Sequence, residues 1–162
     1  MRMELIQPFI NSAAAVLAQS LGCEARIGDV SMEEEAYRRK GMAALVAISG
    51  DIEGRVIFDV DLLTASKVAG FLAGSEVETS DELVRETVFE LANMVVGNAV
   101  TALNDEGVHF KIDPPQLHSA DQGLSGSEDT EALVMSFNTD NGNLYMNIAM
   151  RYQHRRREDR TA

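Results

Sequence analysis

The chain has 162 residues, 45% hydrophobic and 25% charged, enough apolar material for one globular domain with a real core. A formal net charge of −12 excludes a general binder of nucleic-acid backbone or anionic lipid, because both need clustered Lys and Arg. One cysteine, Cys23, excludes an internal disulfide and points to a cytoplasmic protein.

Residues 3 to 21 carry Ile6, Phe9, Ile10, Ala13, Val16, Leu17 and Leu21 at helical spacing, with Gly22 as a natural stop. The region does not read as a signal peptide, since Glu4, Gln7 and Pro8 interrupt it and "AAAVLA" is short. No run approaches the roughly 18 apolar residues of a membrane span. "EARIGDVS" reads as a short strand, and "MEEEAYRRKG" as a solvated, charged loop. In "MAALVAISGDIEGRVIFDV" two β-rich runs flank "SGDIEG", a hairpin signal in which Asp51 and Glu53 are turn residues. "DLLTASKVAGFLAG" predicts a helix from Asp61 and Thr64 to Gly74.

Ser80 is placed to cap a longer helix over residues 81 to 106, ended by Gly107. "VHFKID" predicts a strand stopped by Pro114 and Pro115, and "ADQGLSGSEDTE" a linker. "ALVMSF" and "LYMNIAMRY" flank "NTDNGN", a second hairpin signal. In its last strand Leu144, Met146, Ile148 and Met150 alternate with Tyr145, Asn147, Ala149 and Arg151, which predicts one buried face. The expected fold is α+β, long helices packed on an antiparallel sheet, in a single domain over 1–152. A charged, disordered tail over 153–162 follows. His109, His118 and His154 show no metal-ligand spacing, and Cys23 reads as a packed thiol.

The long helix carries the chemistry. At 100° per residue, Val84, Val88, Ala92, Val95, Val96, Ala99, Ala102 and Leu103 gather on one side. Opposite runs a stripe of Glu86, Glu90, Asn93, Gly97, Thr101 and Asn104. No Lys or Arg accompanies its glutamates at i,i+4 spacing, and its mid-helix glycine costs ~1 kcal/mol relative to alanine. Two readings fit: a docking groove that Gly97 opens to another surface, or a surface helix whose Gly97 packs against a neighbouring element. A carboxamide is no general base, but it has an acceptor and two donors with which to hold a water in line, as the glutamine of GTPases does. Glu90 can serve as a base or as a docking charge for a partner's lysine. No nucleophile, His dyad or phosphate loop accompanies the pair.

"ELANMVVGNA", with Glu90-x-x-Asn93 followed by Gly97 and a proline, Pro114, about twenty residues on, resembles the signature of the CheC/CheX/FliY family of chemotaxis phosphatases. The hairpin "AISGDIEGRVIFDV" resembles that family's hairpin, and the likeness spans roughly residues 4 to 152. CheC and FliY types carry two such motifs. This chain has one, which resembles the CheX branch; "ELIQ" in the first helix lacks the following glycine. Four residues before the Glu, where the family often has Asp or Ser, stands Glu86.

The resemblance implies a cytoplasmic phosphatase acting in trans on a phosphorylated CheY-type response regulator. Asn93 orients the hydrolytic water, and Glu90 pairs with the regulator's lysine. Glu86, Gly97 and Thr101 line the docking surface. The chain itself needs no cofactor, because Mg2+ sits in the partner's active site, and it is expected to form a homodimer through an edge strand. The alternative is a non-catalytic adaptor of the same fold, in which Glu90 and Asn93 serve docking alone.

Overall fold

The computed structural model describes residues 3–22, 24–33, 37–79, 82–118 and 132–152. In chain order these form α1 (Met3–Leu21), β1 (Arg26–Glu33), β2 (Met42–Gly50), β3 (Ile52–Val60), α2 (Leu62–Ala73), α3 (Glu82–Asp105), β4 (Phe110–Ile112), β5 (Gln116–Leu117), β6 (Ala132–Thr139) and β7 (Gly142–Tyr152). The strands make one antiparallel sheet in the order β1-β6-β7-β3-β2-β4, with β5 also paired to β2. The expected fold class is therefore observed. Cys23, Ser80, the 120–131 linker and the 153–162 tail lie outside the described residues.

Strand alternation decides which side the helices cover. Ala44, Phe58, Met146 and Met135 stand in register across β2, β3, β7 and β6. All four are buried in the cluster that holds the inner faces of the helices. α1 contributes Leu5, Ile6, Phe9, Ala13, Val16 and Leu17 to that cluster. Its Ser12 hydroxyl donates to the Val95 carbonyl of α3 at 2.7 Å, which satisfies a polar group inside the helix–helix contact. α2 ends as the sequence predicts: Gly74 adopts the left-handed conformation, φ 75°, and its N–H bonds to the Gly70 carbonyl. Asp61 occupies the N-cap position of α2 but makes no side-chain cap bond.

The opposite face of the sheet departs from expectation. The "MEEEAYRRKG" segment is not wholly a solvated loop: Met32 and Glu33 belong to β1, and Tyr37 is buried. Tyr37 packs on Ala43 and Ile57, and its hydroxyl donates to Asp59 at 2.7 Å. Asp59, fully buried, also accepts from the backbone N–H groups of Lys40 at 2.6 Å and Gly41 at 3.1 Å. Burial, and next the Asp59 carboxylate, push the Tyr37 phenol far above its usual range. β7 is likewise buried on both faces over part of its length, since Asn147 and Ala149 are shielded as well as Met146 and Ile148. Asp51 is more than a turn residue: its carboxylate accepts the His109 N–H at 2.9 Å, while Glu53 lies in β3 and pairs with Arg151 at 2.6 Å. After the two prolines the chain resumes pairing, as β5.

Candidate active surface

α3 is a helix because its apolar residues recur at the helical period. Val84, Val88, Leu91, Ala92, Val95, Val96, Ala99 and Leu103 are all buried against α1, α2 and the sheet. Ala102, which the helical wheel assigns to this side, is exposed. The helix stops where its last carbonyls find other donors: Gly107 N–H bonds to Asn104 O at 3.0 Å, and Val108 N–H to Leu103 O at 2.9 Å.

With the inner side fixed, Glu86, Glu90, Asn93, Thr101 and Asn104 all project outward, and Gly97 is half-exposed between them. Helix geometry sets Glu90 and Asn93 about 60° apart around the axis and ~4.5 Å apart along it, so their polar ends emerge side by side. Among the described residues no side chain pairs with either of them. The nearest helical ion pair, Arg85 with Glu82 at 3.4 Å, lies off the stripe, and the Arg85 guanidinium rests over the Phe89 ring.

Gly97 separates the two readings of the stripe. A Cβ built on it meets no heavy atom within 4 Å. Packing among the described residues therefore does not require the glycine, and the surface beside Asn93 is open to them. Thr101 is less free: its hydroxyl donates back to the Gly97 carbonyl at 3.1 Å. At the far end of the stripe Asn104 Oδ1 and His109 Nδ1 lie 3.1 Å apart, a contact with no warning in the sequence pattern.

The surface is a ridge, not a pocket. A cavity of about 590 Å³ lies elsewhere, between α2 and residues 75–78, lined by Ser66, Phe71 and Val77 among others. A carboxylate and a carboxamide on a ridge can bind and orient, but they cannot enclose a substrate and exclude water from it. Such a pair needs a partner to supply the rest of a reaction centre.

A family model described as chemotaxis phosphatase CheX matches residues 42–138, a span that includes both Glu90 and Asn93. This chain belongs to the CheX family. The CheY-P phosphatase CheX of Thermotoga maritima is 29% identical over 120 residues, covering 74% of this chain and 77% of its own length. A chain in the crystal structure of the CheX–CheY–BeF3–Mg2+ complex from Borrelia burgdorferi is 32% identical, with a TM-score of 0.74 over 93% of this chain and 99% of that one. A CheC-like superfamily protein from Shewanella has a TM-score of 0.82 at 24% identity, over 93% of this chain and 99% of that one, and so shares the fold. Among the described residues no helix is long and apolar enough to cross a membrane.

Proposed function

We propose that this CheX-family chain, as one domain over residues 1–152, hydrolyses the aspartyl phosphate of a CheY-type response regulator. The observation that carries the reading is the exposed Glu90–Asn93 pair, unpartnered among the described residues, beside an open Gly97. Polar side chains left without intramolecular partners on a rigid ridge are preorganised for partners on another molecule. In this mechanism the regulator brings the phosphoryl group and the Mg2+. Mg2+ is commonly held by one or two carboxylates together with phosphate oxygens, and here the phosphoryl group is the regulator's.

Asn93 enters the regulator's active site, and its carboxamide aligns a water with the phosphorus. The water attacks, the bond from phosphorus to the aspartate oxygen breaks, the water's proton passes to the phosphate or to solvent, and inorganic phosphate leaves while the aspartate carboxylate is restored on the regulator. The gain is one of positioning, because phosphoryl transfer asks little covalent chemistry of the protein. Glu90 pairs with the regulator's active-site lysine and fixes the register of docking. Glu86, Gly97 and Thr101 form the contact surface around them, and the reaction takes place in the cytoplasm.

The same reading includes a homodimer, and β1 is the edge best suited to it. This outer strand carries Ile27, Val30 and Met32 on the helix side of the sheet, each about half exposed beyond the helices. Unpaired edges with apolar side chains favour pairing. A monomer by light scattering at tens of micromolar, about the scale on which weak interfaces still associate, would remove the dimer from the reading.

The test of the activity is the decay of a phosphorylated CheY-type regulator with and without this protein. Accelerated release of inorganic phosphate, catalytic in the protein, is the expected outcome. Binding without acceleration would make the chain a docking module of the same fold.

A further inference from the structure

The polar cluster on the back of the sheet is not fully paired among the described residues. Arg55, on β3, is 8% exposed, and its Nη1 donates to Asn147 Oδ1 on β7 at 2.7 Å. Its Nε and Nη2 are shielded from solvent and have no hydrogen-bond partner among the described residues; the Asn147 Nδ2 is in the same condition. The register neighbours of Arg55 are Ala47 and Ala149, neither of which has a side chain able to bond it. Carboxylates stand on the same strand face, two residues before and four residues after. Glu53 is paired with Arg151, and Asp59 is held by Tyr37, Lys40 and Gly41.

Burial pushes the Arg55 guanidinium down to about 10, still protonated near neutral pH. A buried cation without a counter-charge costs several kcal/mol. The open edge of this one is the Nε–Nη2 pair, two parallel N–H donors that match the two oxygens of a carboxylate or phosphate. We infer that Arg55 and Asn147 form an oxyanion site on the opposite face of the sheet from Asn93, filled by a carboxylate or an inorganic phosphate. The two guanidinium donors hold a pair of oxygens, and the Asn147 carboxamide gives a third N–H. The donors are closed to solvent in this structure, so the anion enters only as the side chains around them part, and only the folded chain assembles the site. The bound anion stabilises the native state by mass action.

The experiment is thermal unfolding of the full chain in rising sodium phosphate or sodium acetate, with sodium chloride making up constant ionic strength. The wild type should show a saturable rise in Tm, about 5–10 °C at a hundredfold excess over the dissociation constant. R55K keeps the charge and loses the fork, and R55M loses both; each should respond no more than to general salt exclusion. A wild type indifferent to both anions, but stabilised by rising protein concentration in a way R55K abolishes, would place the carboxylate on a second copy of the chain. A wild type indifferent to added anions and to protein concentration alike would overturn the site, and that titration decides whether or not either variant folds.

Discussion

The outer ridge of α3 and the back of the sheet are both rich in polar side chains, and they use them in opposite ways. On the back face Asp59 is buried with three donors around it, one of them the Tyr37 hydroxyl. On the ridge Glu90 and Asn93 point into solvent with no partner in the chain among the described residues. A buried polar group that is satisfied stabilises one conformation, and removing its partner is costly. An exposed polar group without a partner adds little to stability. Residue type alone therefore does not separate scaffold from function; what each group bonds to does.

The sharpest way to break this contrast is Asp59→Ala. It strands the buried Tyr37 hydroxyl and the half-buried backbone N–H groups of Lys40 and Gly41. Stability should fall by about 3 kcal/mol or more, while phosphatase turnover per folded molecule stays as it was. Urea unfolding alongside phosphate release checks both halves, and an undiminished stability would mean that the clamp is ornamental.

Asn93→Ala is its mirror image. The fold should be untouched, since alanine is the better helix former and the side chain has no partner among the described residues to lose. Regulator dephosphorylation should slow by about 100-fold at saturation, equivalent to ~2.7 kcal/mol at the transition state. A folded variant at wild-type rate would transfer the ridge from catalysis to docking.

Glu90→Ala should sharpen the division of labour within the ridge. Its loss belongs in affinity, at about 2 kcal/mol, with raised salt weakening the wild type in parallel. Titration of the phosphorylated regulator, or of a beryllofluoride-bound form, measures it, and unchanged affinity would end the lysine-pairing role.

The smallest effect is expected at Gly97, where the two currencies separate inside one residue. Gly97→Ala should raise the stability of the free protein by up to about 1 kcal/mol, because the new methyl meets nothing and alanine suits the helix. Gly97→Leu should fold equally well yet obstruct the regulator. Normal regulator binding by the leucine variant would show that no surface comes close there.

The two hairpins and the three helices were legible because their periods are strong and local. The ridge was legible for the same reason: once the valines of α3 are assigned to the core, Glu90 and Asn93 have one direction left. Whether Gly97 served a neighbour was not legible, because that depends on what stands across from it in space. The back-face network lay further out of reach. Arg55 and Asn147 are 92 positions apart, and only the pairing of β3 with β7 brings them together. Tyr37 sits inside a run of charged residues, which by composition reads as solvated. β5 is two residues long, too short to show any alternation.

The inner face of α3 also constrains how this stretch of chain can vary over evolution. Adding or deleting one residue between Glu90 and Asn93 turns everything downstream by about 100°. Val95, Val96, Ala99 and Leu103, all buried, would then swing away from the core together with the realigned Asn. Away from Glu90, Asn93 and Gly97 the outer side can exchange side chains, but the helix cannot change length. In an alignment of descendants the segment from Val84 to Leu103 should accumulate substitutions at outer positions other than Glu90, Asn93 and Gly97, and no gaps at all.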